Sequence, residues 1–302
     1  MQPIFRSATP GSKIATLFIL LFTGLIVSLL IMGLMNMVFG MDDASNATSI
    51  YTGSVLQSLF AIALPAYLTV ALTTDSSTRY LKLGWDEKMG WKVIFAVLLF
   101  VFSYPFVSFL TQWNSGMQLP EWMSSIEELM RSMEDAAMET TKLLLSGRTP
   151  AMLILNLIVV AGLAAFSEEL FFRGALQQFL CERFRNGHVA VWLSALLFSL
   201  VHFQFYGFLP RMMLGVLLGY LFLYTRNLWV AVIFHFVNNA TVILLYFFWS
   251  DKEWFSRMEE LPVTIPFLVV ATVSVLLTLL LFWIYLKRDR QSVDGAETIN
   301  LY

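Results

Sequence analysis

Three groups of residues in the second half of the chain have the types and spacing to hydrolyse a bond. Glu168, Glu169 and Arg173 lie in the run Ala164-Ala-Phe-Ser-Glu-Glu-Leu-Phe-Phe-Arg-Gly174; Phe198 and His202 bracket Phe198-Ser-Leu-Val-His202; His235 and Asn239 bracket His235-Phe-Val-Asn-Asn239. Residues four apart share one face of a helix, so Glu169 and Arg173 are expected to pair, with the carboxylate on the N-terminal side that such pairs prefer. Glu168 then points about 100° away around the helix, from roughly 3.6 residues per turn. It has no local partner, and a lone carboxylate in an apolar setting suits general-base work on water. His235 and Asn239 share a face and can present two side-chain groups to one substrate atom. Phe198 sits one turn before His202 and can pack beside it.

All of these residues interrupt apolar stretches, where an ionisable side chain costs roughly 2.5–3.5 kcal/mol at the centre of a membrane helix and is functional by default. The 302-residue chain is 58% hydrophobic and only 13% charged, about half the charge of an ordinary soluble domain. So few charges cannot coat a soluble protein of this size. A net charge of -2 argues against a nucleic-acid partner, which is held by clustered Lys and Arg. The single cysteine, Cys181, permits no internal disulfide.

Eight stretches approach the roughly 20 apolar residues that cross a bilayer: residues 14–39, 51–73, 91–112, 151–172, 189–206, 209–225, 228–249 and 263–286. The first is longer than the h-region of a signal peptide and reads as a retained helix. With the N-terminus inside, the inner segments hold 13 of the 19 Lys and Arg, including Lys287, Arg288 and Arg290 after the last span. The positive-inside rule therefore favours an even number of spans with both termini cytoplasmic. Counting about 1.5 Å per residue from the cytoplasmic ends places His235 near 10 Å and His202 near 20 Å. Glu168 joins them, near 22 Å, only if the fourth helix continues past it to about Arg183. The three then face one cavity, which on this reading opens toward the cytoplasm.

The expected fold is thus an all-α polytopic membrane bundle of about eight transmembrane helices. Residues 1–148 form a three-helix region without a motif, 149–250 the catalytic core, and 251–302 the last span and a tail, all within one membrane domain. Between residues 113 and 150 lies an amphipathic segment, with Trp122, Ile126, Met130 and Met133 at helical spacing and acidic residues between them. It is expected to lie on the membrane surface or to cap the bundle. Gly215 and Gly219 form a Gly-x-x-x-Gly pair that suits close helix packing. Asn46-Ala-Thr48 fits a glycosylation sequon, a pattern common by chance.

The three groups together resemble the signature motifs of the CAAX-processing and bacteriocin-processing protease family, also called CPBP or Abi: Glu-Glu-x-x-x-Arg, Phe-x-x-x-His and His-x-x-x-Asn/Asp. They stand here as Glu168-Glu169-x-x-x-Arg173, Phe198-x-x-x-His202 and His235-x-x-x-Asn239, within residues 150–245. The resemblance implies an intramembrane endopeptidase. Carried over by position, Glu168 is the general base assisted by His202, His235 and Asn239 form the oxyanion site, and Glu169 with Arg173 holds the helix. A Glu and two His could form a zinc site with water in the fourth position. The sequence lacks His-Glu-x-x-His, which tilts the expectation toward metal-independent chemistry. The implied partners are a peptide or membrane-protein substrate and the lipid bilayer, and the expected location is a bacterial cytoplasmic membrane.

Two other classes use the same residues. A proton-coupled transporter would employ Glu and His as a relay, but transporters commonly carry repeats in their two halves, whereas these polar groups occupy only the second half. A non-catalytic immunity or scaffold protein would keep the helices and cut nothing.

Overall fold

The computed structural model describes residues 5, 7–40, 47–255 and 262–293. Asn46 of the sequon, and Arg6 and Arg257 of the basic residues, lie outside them. The described chain is helical: α1 (Pro10–Phe39), α2 (Ala47–Thr73), α3 (Met89–Ser115), α4 (Ser124–Leu145), α5 (Pro150–Phe184), α6 (Gly187–Leu200), α7 (Phe208–Thr225), α8 (Leu228–Trp249) and α9 (Ile265–Val293). Among the described residues, seven helices are long and apolar enough to cross a membrane, and α6 is a shorter apolar helix of 14 residues. All eight apolar stretches are therefore helices in an all-α polytopic bundle. The fifth is shorter than expected, because its helix ends at Leu200 and residues 201–203 form a turn.

The short connections are built by one device used twice. α5 ends on Arg185 in the left-handed conformation, and Asn186 then accepts the His188 and Val189 N–H groups at the start of α6. α7 ends on left-handed Arg226, and Asn227 accepts the Trp229 N–H at the start of α8. An Asn cap satisfies N–H groups that the first helical turn leaves free. Pro105 interrupts the ladder of α3, and Ser274 of α9 crosses over to repair it, accepting the Phe106 N–H at 3.2 Å and donating to the Phe102 carbonyl. In hydrocarbon no water could do so.

Two polar knots mark the ends of the bundle. At the end of the α1 N-terminus, Lys13 pairs with Glu182 at 2.8 Å and Tyr80 donates to the same carboxylate at 2.6 Å. At the other end Tyr51 donates to Asn156 at 2.7 Å, and Asn156 donates to the Leu144 carbonyl at 3.0 Å, joining α2, α5 and α4. Backbones approach closely where glycine allows it. A Cβ at Gly24 would lie 1.9 Å from the Phe60 carbonyl oxygen, and one at Gly215 would lie 3.1 Å from the Ala195 Cα. Gly215 and Gly219 thus let α6 and α7 pack against each other.

Candidate active site

α5 positions the first group. It is continuous from Pro150 to Phe184, so Glu168 and Glu169 lie mid-helix. Two π-helical stretches flank them, Leu157–Leu163 and Leu170–Gln177, and a third occupies Gln57–Ala63 of α2. π turns are rare and recur at functional sites. In α2 the stretch immediately precedes Pro65, whose missing N–H and bulky ring disturb the preceding α-helical turn.

Glu169 and Arg173 are both fully buried and pair at 2.6 Å. The other guanidinium arm donates to the Gly215 carbonyl at 3.0 Å, and one turn along Gln177 donates to the Gly219 carbonyl at 3.0 Å. The Gly-x-x-x-Gly pair therefore also brings bare backbone acceptors to α5. The same oxygen of Glu169 that meets Arg173 accepts from His235 Nδ1 at 2.8 Å. This contact fixes the tautomer: Nδ1 carries a proton for Glu169, and Nε2 is the ring atom left for the site. It stands 3.8 Å from Glu168 Oε2, too long for a direct hydrogen bond.

His202 lies in the turn after α6 and not within the helix. Its Nδ1 donates to the Phe198 carbonyl at 2.7 Å, satisfying one of the carbonyls that a helix C-terminus leaves open. This again leaves Nε2 free. The buried Phe198 ring lies 5.0 Å from the His202 ring, 6.0 Å from the His235 ring and 4.8 Å from the Arg173 guanidinium carbon, centre to centre. Asn239, one turn after His235, reaches the Val160 carbonyl only at 3.4 Å, and its oxygen accepts from Asn238 at 3.1 Å.

Glu168 and His202 line one cavity of about 360 Å³. His235 and Asn239 do not line it; His235 sits behind Glu168, and Asn239 is held against Val160 of the cavity wall. α2 also lines it, through Ser54, Gln57 and Ser58, as does Leu144 of α4. Sequence reading missed these residues, having found no motif before residue 148. The available signal was Ser54, Gln57 and Ser58 falling on one helical face of an apolar span.

The cavity runs from mid-bundle to the end that carries Leu144 and the turn at Val201 and His202. On the other side of Glu168, toward the termini, all of Leu170–Gln177 is buried. The expectation of a cavity opening toward the termini is therefore corrected: depth counts place a residue along a span but do not tell which end packing seals.

α4 reaches the same turn. Glu134 accepts the Tyr206 N–H at 3.2 Å, and the Arg131 guanidinium lies 4.4 Å from the centre of the Tyr206 ring. Glu127 pairs with Arg131 at 2.6 Å and accepts the Leu119 N–H at 3.0 Å. The Arg131 contact foremost, then the Leu119 N–H, holds the Glu127 carboxyl below the usual carboxylate range. Asn114 of α3 clamps the turn as well, donating to Phe205 and accepting from Leu209.

One Glu and two His have suitable donor atoms for zinc. As they are arranged, however, no three His, Cys, Asp or Glu side chains among the described residues stand together as a metal set.

Residues 150–241 match the family model described as Type II CAAX prenyl endopeptidase Rce1-like. An uncharacterized protein of Bacillus subtilis, YpbD, is 32% identical over 89 residues, which span 28% of this chain and 42% of that protein. No solved structure matches.

Proposed function

From the premise that residues 150–241 are Rce1-like, we propose that this multi-pass membrane protein is an endopeptidase that hydrolyses a peptide bond inside the bundle, with Glu168 as general base. The observation that carries the reading is the cavity shared by Glu168 and His202, with His235 Nε2 aimed at Glu168 from behind.

Glu168 takes a proton from water, and the hydroxide adds to the scissile carbonyl. His202, through its free Nε2, holds that water beside Glu168. The resulting oxyanion accepts from the Asn239 amide, whose present bond to Val160 is long and readily exchanged, and from the Nε2–H of a doubly protonated His235 whose Nδ1–H stays on Glu169. The proton on Glu168 then passes to the leaving amine as the C–N bond breaks. Fixed donors at a developing oxyanion are worth about 2.7–4 kcal/mol each where water is excluded. Glu169 orients His235 and Arg173 holds Glu169, so both act through another residue. The substrates proposed are membrane-associated peptides, such as leader peptides or the tails of membrane proteins, and the proposed location is a bacterial cytoplasmic membrane.

The test is cleavage of an internally quenched S-farnesyl C-a-a-X peptide, and of an unlipidated apolar peptide, by the purified protein in nanodiscs. Glu168→Gln is expected to lower the rate by about 10²–10⁴, the usual worth of a general base. A variant that cuts at the wild-type rate removes Glu168 from this role. A wild-type protein that cuts neither peptide but carries protons across liposomes refutes the endopeptidase reading.

A further inference from the structure

We propose that Gln57 of α2 binds the substrate's peptide backbone in the cavity that Glu168 lines, making the otherwise motif-free N-terminal region one wall of a peptide-binding site. The ligand class rests on the endopeptidase reading; the presence of a binding wall rests on the geometry alone.

Ser54, Gln57 and Ser58 share one face of α2 and line the cavity with Glu168 and His202. Gln57 is an exposed residue within a helix of spanning length, and its carboxamide meets no hydrogen-bonding partner among the described residues. In hydrocarbon such a group would lack any partner and carry the full cost of desolvation. Facing the cavity, it keeps both a donor and an acceptor free. The Ser54 hydroxyl, by contrast, donates to the Ile50 carbonyl at 2.8 Å, which leaves it only an acceptor.

A carboxamide presents a donor and an acceptor side by side, and so do the N–H and C=O of one residue in an extended chain, so the two can pair through both bonds. The remaining wall is aliphatic and aromatic, through Ile62, Val159, Val160 and Phe172. At about 360 Å³ the cavity is at the small end of ligand pockets, which run to about 1,000 Å³. It suits a short extended stretch with a compact apolar side chain beside the bond to be cut. A π-helical stretch begins at Gln57, and π turns recur at functional sites.

The experiment measures binding apart from turnover. The full chain carrying Glu168→Gln, in nanodiscs, is titrated with a fluorescent S-farnesyl C-a-a-X peptide and with analogues N-methylated at each backbone amide in turn. Adding Gln57→Met, which keeps the side-chain length, is expected to weaken binding about tenfold, as the loss of two neutral hydrogen bonds predicts. Methylation at one amide should cost the parent a similar factor and cost the Gln57→Met protein almost nothing. Equal affinity with and without Gln57→Met, no binding by the parent, or methylation losses that multiply with Gln57→Met at every amide overturns the proposal. Should Gln57→Met fail to fold, a methylation scan of the parent with no sensitive amide overturns it equally. Cleavage by the wild-type chain is scored separately, so Gln57-dependent binding without cleavage refutes the protease reading and leaves the binding wall standing.

Discussion

Glu169 is the acceptor through which three helices hold the site: one of its oxygens meets both Arg173 of its own helix and His235 of α8, while Arg173 reaches Gly215 of α7. The other oxygen is buried and has no hydrogen-bond partner among the described residues. Removing one member of a buried ion pair strands the other, at a cost of about 3–5 kcal/mol, whereas replacing both with apolar residues can be nearly neutral. Arg173→Met alone should therefore lower the thermal unfolding midpoint sharply, and Glu169→Leu with Arg173→Met should recover most of it. The double variant should still fail to cleave, because His235 has lost the group that orients it. Recovery of cleavage along with stability would show that Glu169 serves the fold only. The Glu169–Arg173 pair was legible from its spacing. The His235 contact was not, because it joins helices 66 residues apart in sequence and periodicity reports only neighbours on one helix.

At the scale of elements, the sequence required α5 to run past Glu168 to about Arg183, and α5 ends at Phe184. The π-helical stretches were not legible, since an extra residue in a turn leaves no mark on composition. α4 was legible as an amphipathic helix but not in its orientation. Trp122, Ile126 and Leu129 are exposed, while Glu127 and Glu134 are the residues that hold the turn following His202 and its partner Arg131. Arg131→Ala should thus lower kcat several-fold without moving the unfolding midpoint by more than a degree or two, a pattern that a purely structural loop contact would not give. The acid sensitivity of this latch follows from Glu127. Its carboxyl titrates below its unfolded range because of Arg131, so its stabilising contribution is fully present above the ordinary carboxylate range. That contribution is lost only as pH falls through the lower folded value. Any change in activity between pH 5 and 8 should therefore survive Glu127→Gln unchanged.

For the whole molecule, the apolar stretches could be counted from sequence because each must satisfy its own backbone in lipid. The end at which the cavity emerges could not, since it depends on packing between distant segments. With the orientation that the basic residues favour, the cavity emerges away from Lys13 and Arg288, on the non-cytoplasmic side. In a Cys181→Ser background, Ser125→Cys on α4 should react with an impermeant maleimide in intact cells, and Ser76→Cys, between α2 and α3, only after permeabilisation. The reverse pattern would invert the molecule and turn the cavity to the cytoplasm.

α6 adds a demand on the surroundings of the protein. Fourteen residues rise about 21 Å, whereas the hydrocarbon of a typical membrane is about 30 Å thick. Where that shortfall falls at the His202 turn, thinning of the leaflet or descending water meets it, at a modest cost for each ångström of mismatch. On the endopeptidase reading the bilayer would then take part in the reaction: a local thinning would bring headgroups and water down to a histidine that would otherwise lie under acyl chains. Catalysis should accordingly fall as lipid chains lengthen from 14 to 20 carbons, at about constant peptide affinity, if thinning delivers the water that Glu168 activates. A rate indifferent to chain length would mean that the protein alone wets its site.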